Sequence, residues 1–132
     1  MPSRRIEDLF GEMQPLVRKL LEEGKKVCTP WEPFITDSYR SFIEQNELYA
    51  RGRSKPGRVV TNAKGGQSFH NVRRAVDIAF RQGPMLSYDV NLYTKLGNIK
   101  VEGLEWGGLW RPFIDRPHFQ YRRCSKHKII HK

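Results

Sequence analysis

The sequence predicts a single α+β domain, and three features of its pattern support that prediction. Apolar residues near the start recur at three- and four-residue spacing, which indicates an amphipathic helix. Two later segments, 75–80 and 118–121, alternate bulky apolar residues with small or polar ones, as half-buried strands do. The 132 residues fit one domain with a useful core, and no linker or second domain is predicted.

The first predicted helix covers residues 3–24, with Ser3 as its cap and Gly24 as its stop. Pro15 falls inside the apolar stripe, so we expect a kink there or a division into two helices. After a turn at Pro30 and Pro33, residues 34–39 predict a strand and residues 41–50 a second helix. The segment 51–66 is rich in glycine, proline and basic residues, which predicts a loop.

The second half of the chain adds two strands, one helix and a tail. In the strand 75–80, the bulky residues Val76, Ile78 and Phe80 should face the core, and Asp77 lies on the other face between two alanines. Such small neighbours leave room around a carboxylate. Residues 87–100 predict a helix, and in the strand 118–121 His118 and Gln120 share a face. The basic C-terminal tail covers residues 122–132.

Charge and cysteine content limit the functional classes. A net charge of +10 favours polyanionic partners such as nucleic acid, anionic membrane or envelope polymers, and it is also compatible with a solvated basic surface. Cys28 and Cys124 are far apart and form no CxxC pair, so we expect free thiols. The polar start and the lack of a long apolar run predict synthesis in the cytoplasm without a transmembrane segment.

Two short segments contain the residues of a candidate metal site. His70, Asp77 and His118 would supply the three protein ligands of a catalytic zinc, which leaves a fourth position for water. Asp115 is then available as a general base, and Arg40 as the cation that stabilises the oxyanion. Spacing alone leaves open a structural His–Asp pair, and Glu102 and Glu105 are rival bases. Arg40 could instead pair with Asp37 or Glu44.

The same segments resemble a family of zinc peptidases. The family contains D-alanyl-D-alanine dipeptidases, D,D-carboxypeptidases and phage L-alanyl-D-glutamate endopeptidases. Its motif is Ser-x-His, six residues, Asp and, far downstream, an acid three residues before a second His. Residues 37–49 are similar to the family's upstream block, and residues 105–115 to its endopeptidase branch, so the resemblance runs from Phe34 to Tyr121. The motif residues here are Ser68, His70, Asp77, Asp115 and His118.

The resemblance implies a fold and a set of site residues. The fold is a small antiparallel sheet with packed helices, of the Hedgehog/DD-peptidase type. One zinc per chain is held by His70, Asp77 and His118, with Asp115 as the base and Arg40 as the transition-state cation. Arg73 and Arg74 should point away from the ion, and Trp106 and Trp110 are either core aromatics or substrate contacts. The substrate-binding residues that we expect are Ser68, Gln45, Trp106 and Gln120.

The resemblance also implies an activity and a place of action. We expect a monomeric endolysin that cleaves the L-alanyl-D-glutamate bond of bacterial peptidoglycan after release from the host cytoplasm. No separate cell-wall-binding domain is predicted, so the basic surface would attract anionic envelope polymers, an attraction that salt screens. The alternatives are a D,D-carboxypeptidase or dipeptidase, a family member that binds wall peptides without cutting, or a basic nucleic-acid-binding module. The last lacks zinc-finger spacing and RNA-binding signatures, so we expect no specific nucleic acid partner.

Overall fold

The structure, a computed structural model, describes residues 1–122, and the expected tail with Cys124 lies beyond them. Within these residues an antiparallel sheet of five strands packs with three α-helices, which confirms the predicted α+β class. The strands run in the order β1-β2-β5-β4, and β3 pairs with the end of β2. The elements are α1 Gln14–Val27, β1 Glu32–Asp37, α2 Phe42–Ala50, β2 Ala75–Gln82, β3 Met85–Ser87, α3 Val90–Gly97, β4 Leu104–Trp106 and β5 His118–Tyr121.

The helix predicted over residues 3–24 is wrong at both ends. Two short 3-10 turns, Ile6–Asp8 and Gly11–Met13, precede α1. Pro15 lies in the first turn of α1, where its missing N–H costs no helical hydrogen bond, so it begins the helix instead of kinking it. Gly24 lies inside α1, at a point where a Cβ would come within 2.6 Å of Leu96 Cδ1. Glycine therefore allows close packing at this position and does not stop the helix.

The core lies on one face of the sheet, under α1 and α3. Val76, Ile78 and Phe80 are fully buried, as the alternation in this strand predicts. Tyr93 of α3 packs on the ring of Phe80 and donates a hydrogen bond of 2.6 Å to the Ile78 carbonyl oxygen. The core occupies this face, so the opposite face of the sheet is the one left for polar side chains.

No helix within residues 1–122 has the length and apolar character to cross a bilayer.

Local hydrogen bonds set the starts of two helices, and the strand bounds also differ from those predicted. Ser41 caps α2 in a reciprocal box with Glu44, whose backbone N–H donates to Ser41 Oγ at 3.0 Å. Asp89 caps α3, so this helix begins at Val90 and is shorter than the predicted 87–100. The strand expected over residues 34–39 is β1, which lies two residues earlier. Strands β3 and β4 have three residues each and were not predicted.

Candidate active site

The register of three strands brings Asp37, Asp77 and His118 together. Asp77 of β2 lies directly opposite Asp37 of β1 and opposite His118 of β5. Residues at paired positions project from the same face of a sheet, so these three side chains form a row across it. His118 and Gln120 share this face, as their spacing predicts, and Gln120 pairs with Glu105 of β4. The row lies on the face opposite the core.

The short turn before β2 adds the fourth member of the cluster. His70 belongs to the 3-10 turn Phe69–Val72, and its Nε2 lies 3.3 Å from Asp77 Oδ1. His118 Nδ1 approaches the same oxygen at 3.4 Å. The ligand atoms of His70, Asp77 and His118 all lie within 4.8 Å of one another. The structure thus brings together the three residues that the sequence singled out as metal ligands.

The hydrogen bonds around both histidines leave the right nitrogens for a metal. His70 Nδ1 lies 3.1 Å from the Ser38 carbonyl oxygen, to which it can only donate, so Nε2 keeps its lone pair. His118 Nε2 lies 2.8 Å from Gln120 Oε1, and Gln120 Nε2 donates to a Glu105 carboxylate oxygen at 3.1 Å. This series of hydrogen bonds turns the amide oxygen of Gln120 toward the ring, so it accepts a hydrogen bond from His118 Nε2. His118 Nδ1 is then the nitrogen that keeps its lone pair for a metal.

Two buried atoms of the cluster lack the partners that burial requires. Among the described residues, neither His70 Nε2 nor Asp77 Oδ1 has a hydrogen-bond partner. Buried polar atoms are rarely left in this state, and a missing ion is one cause. Two imidazole nitrogens and one carboxylate oxygen form a donor set that zinc prefers. The residues present therefore fit a zinc ion.

The charges in the cluster indicate that its carboxylate needs cationic neighbours. Burial alone would raise the pKa of Asp77, but His70 and His118 beside it hold that pKa well below its usual range. Burial alone would lower the pKa of His118, but contact with Asp77 and the charge of Asp115 raise it. Asp77 is thus ionised. Its negative charge can be balanced by a proton on an imidazole or by a divalent cation.

Arg40 is fixed beside the cluster by three side chains. Its Nη2 donates to Asp37 Oδ2 at 2.6 Å and lies 3.5 Å from Asp77 Oδ2. Its Nη1 donates to Gln45 Oε1 at 2.8 Å. The expected alternative of a pair with Asp37 is therefore present, and the same guanidinium lines the cleft beside Asp77. Glu44 instead caps α2 and pairs with the amino group of Met1.

Asp115 lies on the open side of the cluster. Its Oδ2 is 3.9 Å from His118 Nδ1, and its side chain is half exposed. Partial burial raises the pKa of this carboxyl group above its ordinary value, and the charge of Asp77 adds to the effect. A carboxylate with a raised pKa that faces both solvent and the cluster is placed to accept a proton.

A cleft of about 550 Å³ opens over the cluster, and only part of the expected substrate set lines it. Ser68 and Gln120 line the cleft. Gln45 is fully buried and uses its amide to hold Arg40 and the Ala63 carbonyl oxygen. Gln45 therefore supports the cleft wall from within.

The structure corrects the placement of Trp106. In β4, Glu105 points to the face of the site, so strand alternation turns Trp106 to the other face, where its ring stacks on Phe119. Trp106 does not line the cleft, and its Nε1 donates to the Arg116 carbonyl oxygen at 2.8 Å. It therefore braces the segment that holds Asp115, whereas Trp110 is the tryptophan that lines the cleft, 5.0 Å from the His118 ring.

Three further residues complete the site; the sequence had named Asp37 only as an alternative partner of Arg40 and Glu105 only as a rival base, and it had not named Asn71. Asp37 anchors Arg40, and Glu105 orients Gln120. The Asn71 amide donates to the Arg40 carbonyl oxygen at 2.7 Å and accepts from the Gly66 N–H at 3.0 Å, which joins two loops. The Asp37–Arg40 pair is local in the chain, whereas only the register and the loop path bring Glu105 and Asn71 to these roles, which spacing could not assign.

The two arginines between the ligands point away from the cluster, as predicted. The Arg73 guanidinium lies 4.1 Å from the centre of the Tyr39 ring and donates to the Asp8 carbonyl oxygen. The Arg74 guanidinium lies 4.1 Å from the centre of the Phe10 ring. Their charges are thus directed to the N-terminal segment and do not oppose a cation at His70.

Comparison of the sequence with known proteins gives a family and named relatives. A family model described as D-alanyl-D-alanine carboxypeptidase matches residues 61–121. The chain is 42% identical over 123 residues to the peptidoglycan L-alanyl-D-glutamate endopeptidase CwlK of Bacillus subtilis, which covers 83% of this chain and 74% of the relative. It is 26% identical over 120 residues to the L-alanyl-D-glutamate peptidase of a Listeria phage, covering 88% of this chain but 39% of that relative.

Two solved structures share the fold. The Serratia marcescens L-Ala D-Glu endopeptidase ChiX aligns with a TM-score of 0.65 at 20% identity, over 96% of this chain and 92% of that one. A variant of the vancomycin-resistance D,D-pentapeptidase VanY, solved with Zn(II), aligns with a TM-score of 0.61 at 16% identity, over 86% of this chain and 72% of that one. The fold agrees with the sequence match, and 42% identity over most of both chains places this protein in the D-alanyl-D-alanine carboxypeptidase family of peptidases.

Proposed function

We propose that this chain is a zinc-dependent endopeptidase that hydrolyses the L-alanyl-D-glutamate bond of peptidoglycan stem peptides. The observation that carries the proposal is the cluster of His70, Asp77 and His118, whose ligand atoms converge at the base of an open cleft. The Bacillus subtilis relative is named for this bond, which favours it over the bond in the family description.

One zinc ion per chain would be held by His70 Nε2, Asp77 Oδ1 and His118 Nδ1. These are the atoms that the surrounding hydrogen bonds leave available. When bound, zinc supplies Lewis-acid polarisation of the scissile carbonyl and lowers the pKa of the attacking water. Ser38 and Gln120 keep both imidazole rings in the tautomers that this binding needs.

Asp115 is the proposed general base. It accepts a proton from the attacking water and returns it to the leaving amine, which needs a carboxylate close to the cluster yet open to the cleft. Its Oδ2 lies 3.9 Å from His118 Nδ1, and half of its side chain is exposed. The partial burial that raises its pKa makes it a stronger proton acceptor than an ordinary aspartate.

Arg40 is the proposed cation for the oxyanion that develops during attack. Asp37 and Gln45 hold its guanidinium before substrate arrives, so no reorganisation is needed during the reaction. Its side chain is 9% exposed, so water screens its charge less than it would at the surface. Arg40 also neutralises part of the charge of Asp77 at the metal site.

Ser68 and Gln120 are the proposed substrate contacts on the cleft wall. Ser68 Oγ accepts from the His70 N–H at 3.2 Å, which leaves its hydroxyl hydrogen free to donate to a peptide carbonyl. Gln120 lines the cleft beside His118. Gln45 serves the site through Arg40, because its own amide is buried.

We further propose that the protein acts as a monomeric endolysin on the wall of its host after release from the cytoplasm. The phage relative, named L-alanyl-D-glutamate peptidase, supports this role. The net charge of +10 would draw the enzyme to anionic envelope polymers, an attraction that weakens as salt rises.

Mass spectrometry of digested peptidoglycan tests the proposed bond. Zinc-loaded enzyme should release stem peptides with a new amino terminus on D-glutamate, and chelator or His118→Ala should abolish this product. Release of D-alanine or of D-alanyl-D-alanine instead would identify a carboxypeptidase or dipeptidase and reject the proposal. Retention of DNA in a gel together with an inactive zinc-loaded enzyme would favour a nucleic-acid-binding module.

A further inference from the structure

Among residues 1–122, two arginines line the cleft, and one of these two has acidic partners. Arg40 Nη2 contacts Asp37 at 2.6 Å and Asp77 at 3.5 Å, so two carboxylates offset its charge. Arg51, directly after α2, is exposed, and no acidic side chain among residues 1–122 lies within ion-pair distance of it. The guanidinium of Arg51 is therefore available to an anionic ligand in the cleft.

The loop that follows Arg51 is fixed to the body of the protein. Arg53 Nη1 donates to the Tyr49 carbonyl oxygen at 2.6 Å and to the Thr61 carbonyl oxygen at 3.0 Å. The Arg53 guanidinium also lies 3.8 Å from the centre of the Tyr49 ring. These contacts hold the backbone on both sides of the loop, so binding through Arg51 would cost little backbone ordering.

The proposed substrate brings a carboxylate into this cleft. Glutamate has two carboxyl groups, and the peptide continues through at most one of them, so the other stays ionised at neutral pH. That carboxylate is only a few bonds from the scissile carbonyl, so it must lie in the same cleft. The cleft wall also contains Asp37, Asp77 and Asp115, so a cation that is not already paired with these carboxylates would favour its binding there.

We propose that Arg51 binds the free carboxylate of the D-glutamyl residue and so selects acidic over amidated stem peptides. The inference rests on the proposed function, because it assumes that the cleft holds an L-alanyl-D-glutamate bond. The planar guanidinium fork pairs with both oxygens of a carboxylate, whereas a carboxamide offers one neutral acceptor oxygen. Arg51 is thus a specificity residue and takes no part in proton transfer or metal binding.

Kinetics on two matched stem peptides test this role. The peptides differ only in the free carboxyl group of D-glutamate, which is ionised in one and a carboxamide in the other. Wild-type enzyme should prefer the ionised peptide about tenfold in kcat/KM, the scale of one charge-assisted pair near solvent. Arg51→Gln should reduce this preference to within about twofold, mainly by raising KM for the ionised peptide. Arg51→Lys should retain part of it.

Arg58→Gln is the matched control, because Arg58 is an exposed arginine of the same loop that does not line the cleft. It should keep the wild-type preference, and the zinc content and melting temperature of Arg51→Gln should equal those of wild type. Two results would overturn the role of Arg51 while the proposed function stands. One is a wild-type enzyme that does not prefer the ionised peptide. The other is an Arg51→Gln variant that keeps this preference or loses activity on both peptides equally. If zinc-loaded wild type cuts neither peptide, the proposed function itself fails.

Discussion

Asp77 is the residue on which the site converges. Its Oδ1 meets both histidines, and its Oδ2 faces Arg40 at 3.5 Å. The resemblance to the zinc peptidase family implied that His70, Asp77 and His118 would meet. It could not predict which nitrogen of each ring faces Asp77, because the Ser38 carbonyl oxygen and Gln120 decide that through the fold.

Replacement of Asp115 and of His118 should separate catalysis from metal binding. Asp115→Ala should keep zinc and lose about 10²- to 10⁴-fold in kcat, the usual loss for a general base. His118→Ala should lose zinc, because it removes one of three ligands. Zinc content by elemental analysis and kcat on a stem peptide measure both effects. Full activity of Asp115→Ala would remove it as the base.

Replacement of Arg40 should lower turnover more than zinc content. Arg40→Ala removes the cation proposed for the oxyanion, and loss of one such group typically costs about 10²- to 10³-fold in kcat. Arg40→Lys keeps the charge but not the fork and should recover only part of the rate. A variant that loses zinc, yet turns over normally once reconstituted, would reject this role.

Gln120 should act on the metal through the orientation of His118. Gln120→Leu removes the acceptor for His118 Nε2, and loss of such a partner typically lowers metal affinity about 10- to 100-fold. Glu105→Gln is the matched control, because an amide oxygen there can still accept from Gln120 and should weaken zinc binding less. Competition with a chromogenic chelator measures both affinities, and equal affinities in Gln120→Leu and wild type would contradict the orienting role.

At the scale of helices and strands, elements with a strong sequence pattern were predicted, whereas the shortest strands were not. The alternation over residues 75–80 and the helix over residues 41–50 were predicted, and the structure has β2 and α2 there. Strands of three residues, such as β3 and β4, are too short for an alternation to be recognised. The start of α1 was missed because apolar side chains of the preceding 3-10 turns continue its stripe, as Met13 does.

Gly107, directly after β4, packs closely against the segment that holds Asp115. A Cβ at this position would collide with the Asp115 carbonyl oxygen and crowd His118 Cβ at 3.2 Å. Gly107→Ala should therefore displace Asp115, reduce activity and lower the free energy of unfolding by about 1–3 kcal/mol, as overpacking does. Gly11→Ala is the control, since a Cβ there meets nothing within 4 Å. Chemical denaturation and kcat measure the pair, and equal behaviour of both variants would contradict this steric account.

At the scale of the whole molecule, the sheet separates scaffold from chemistry. One face packs on α1 and α3, and the other presents the row of Asp37, Asp77 and His118. The α+β class follows from periodicity and the antiparallel sheet from the family resemblance, but the strand order was not predicted, because local patterns do not determine which strands pair. Trp106 illustrates this limit, since only the pairing of β4 with β5 reveals which face it occupies.

The position of the bound metal is the sharpest test of the proposed zinc site. Crystals of the zinc-loaded protein, measured on both sides of the zinc absorption edge, should give one anomalous peak per chain. We predict that the peak lies about 2.0–2.2 Å from His70 Nε2, Asp77 Oδ1 and His118 Nδ1. A peak at other residues, or zinc-loaded active protein with no peak among these three atoms, would contradict the account.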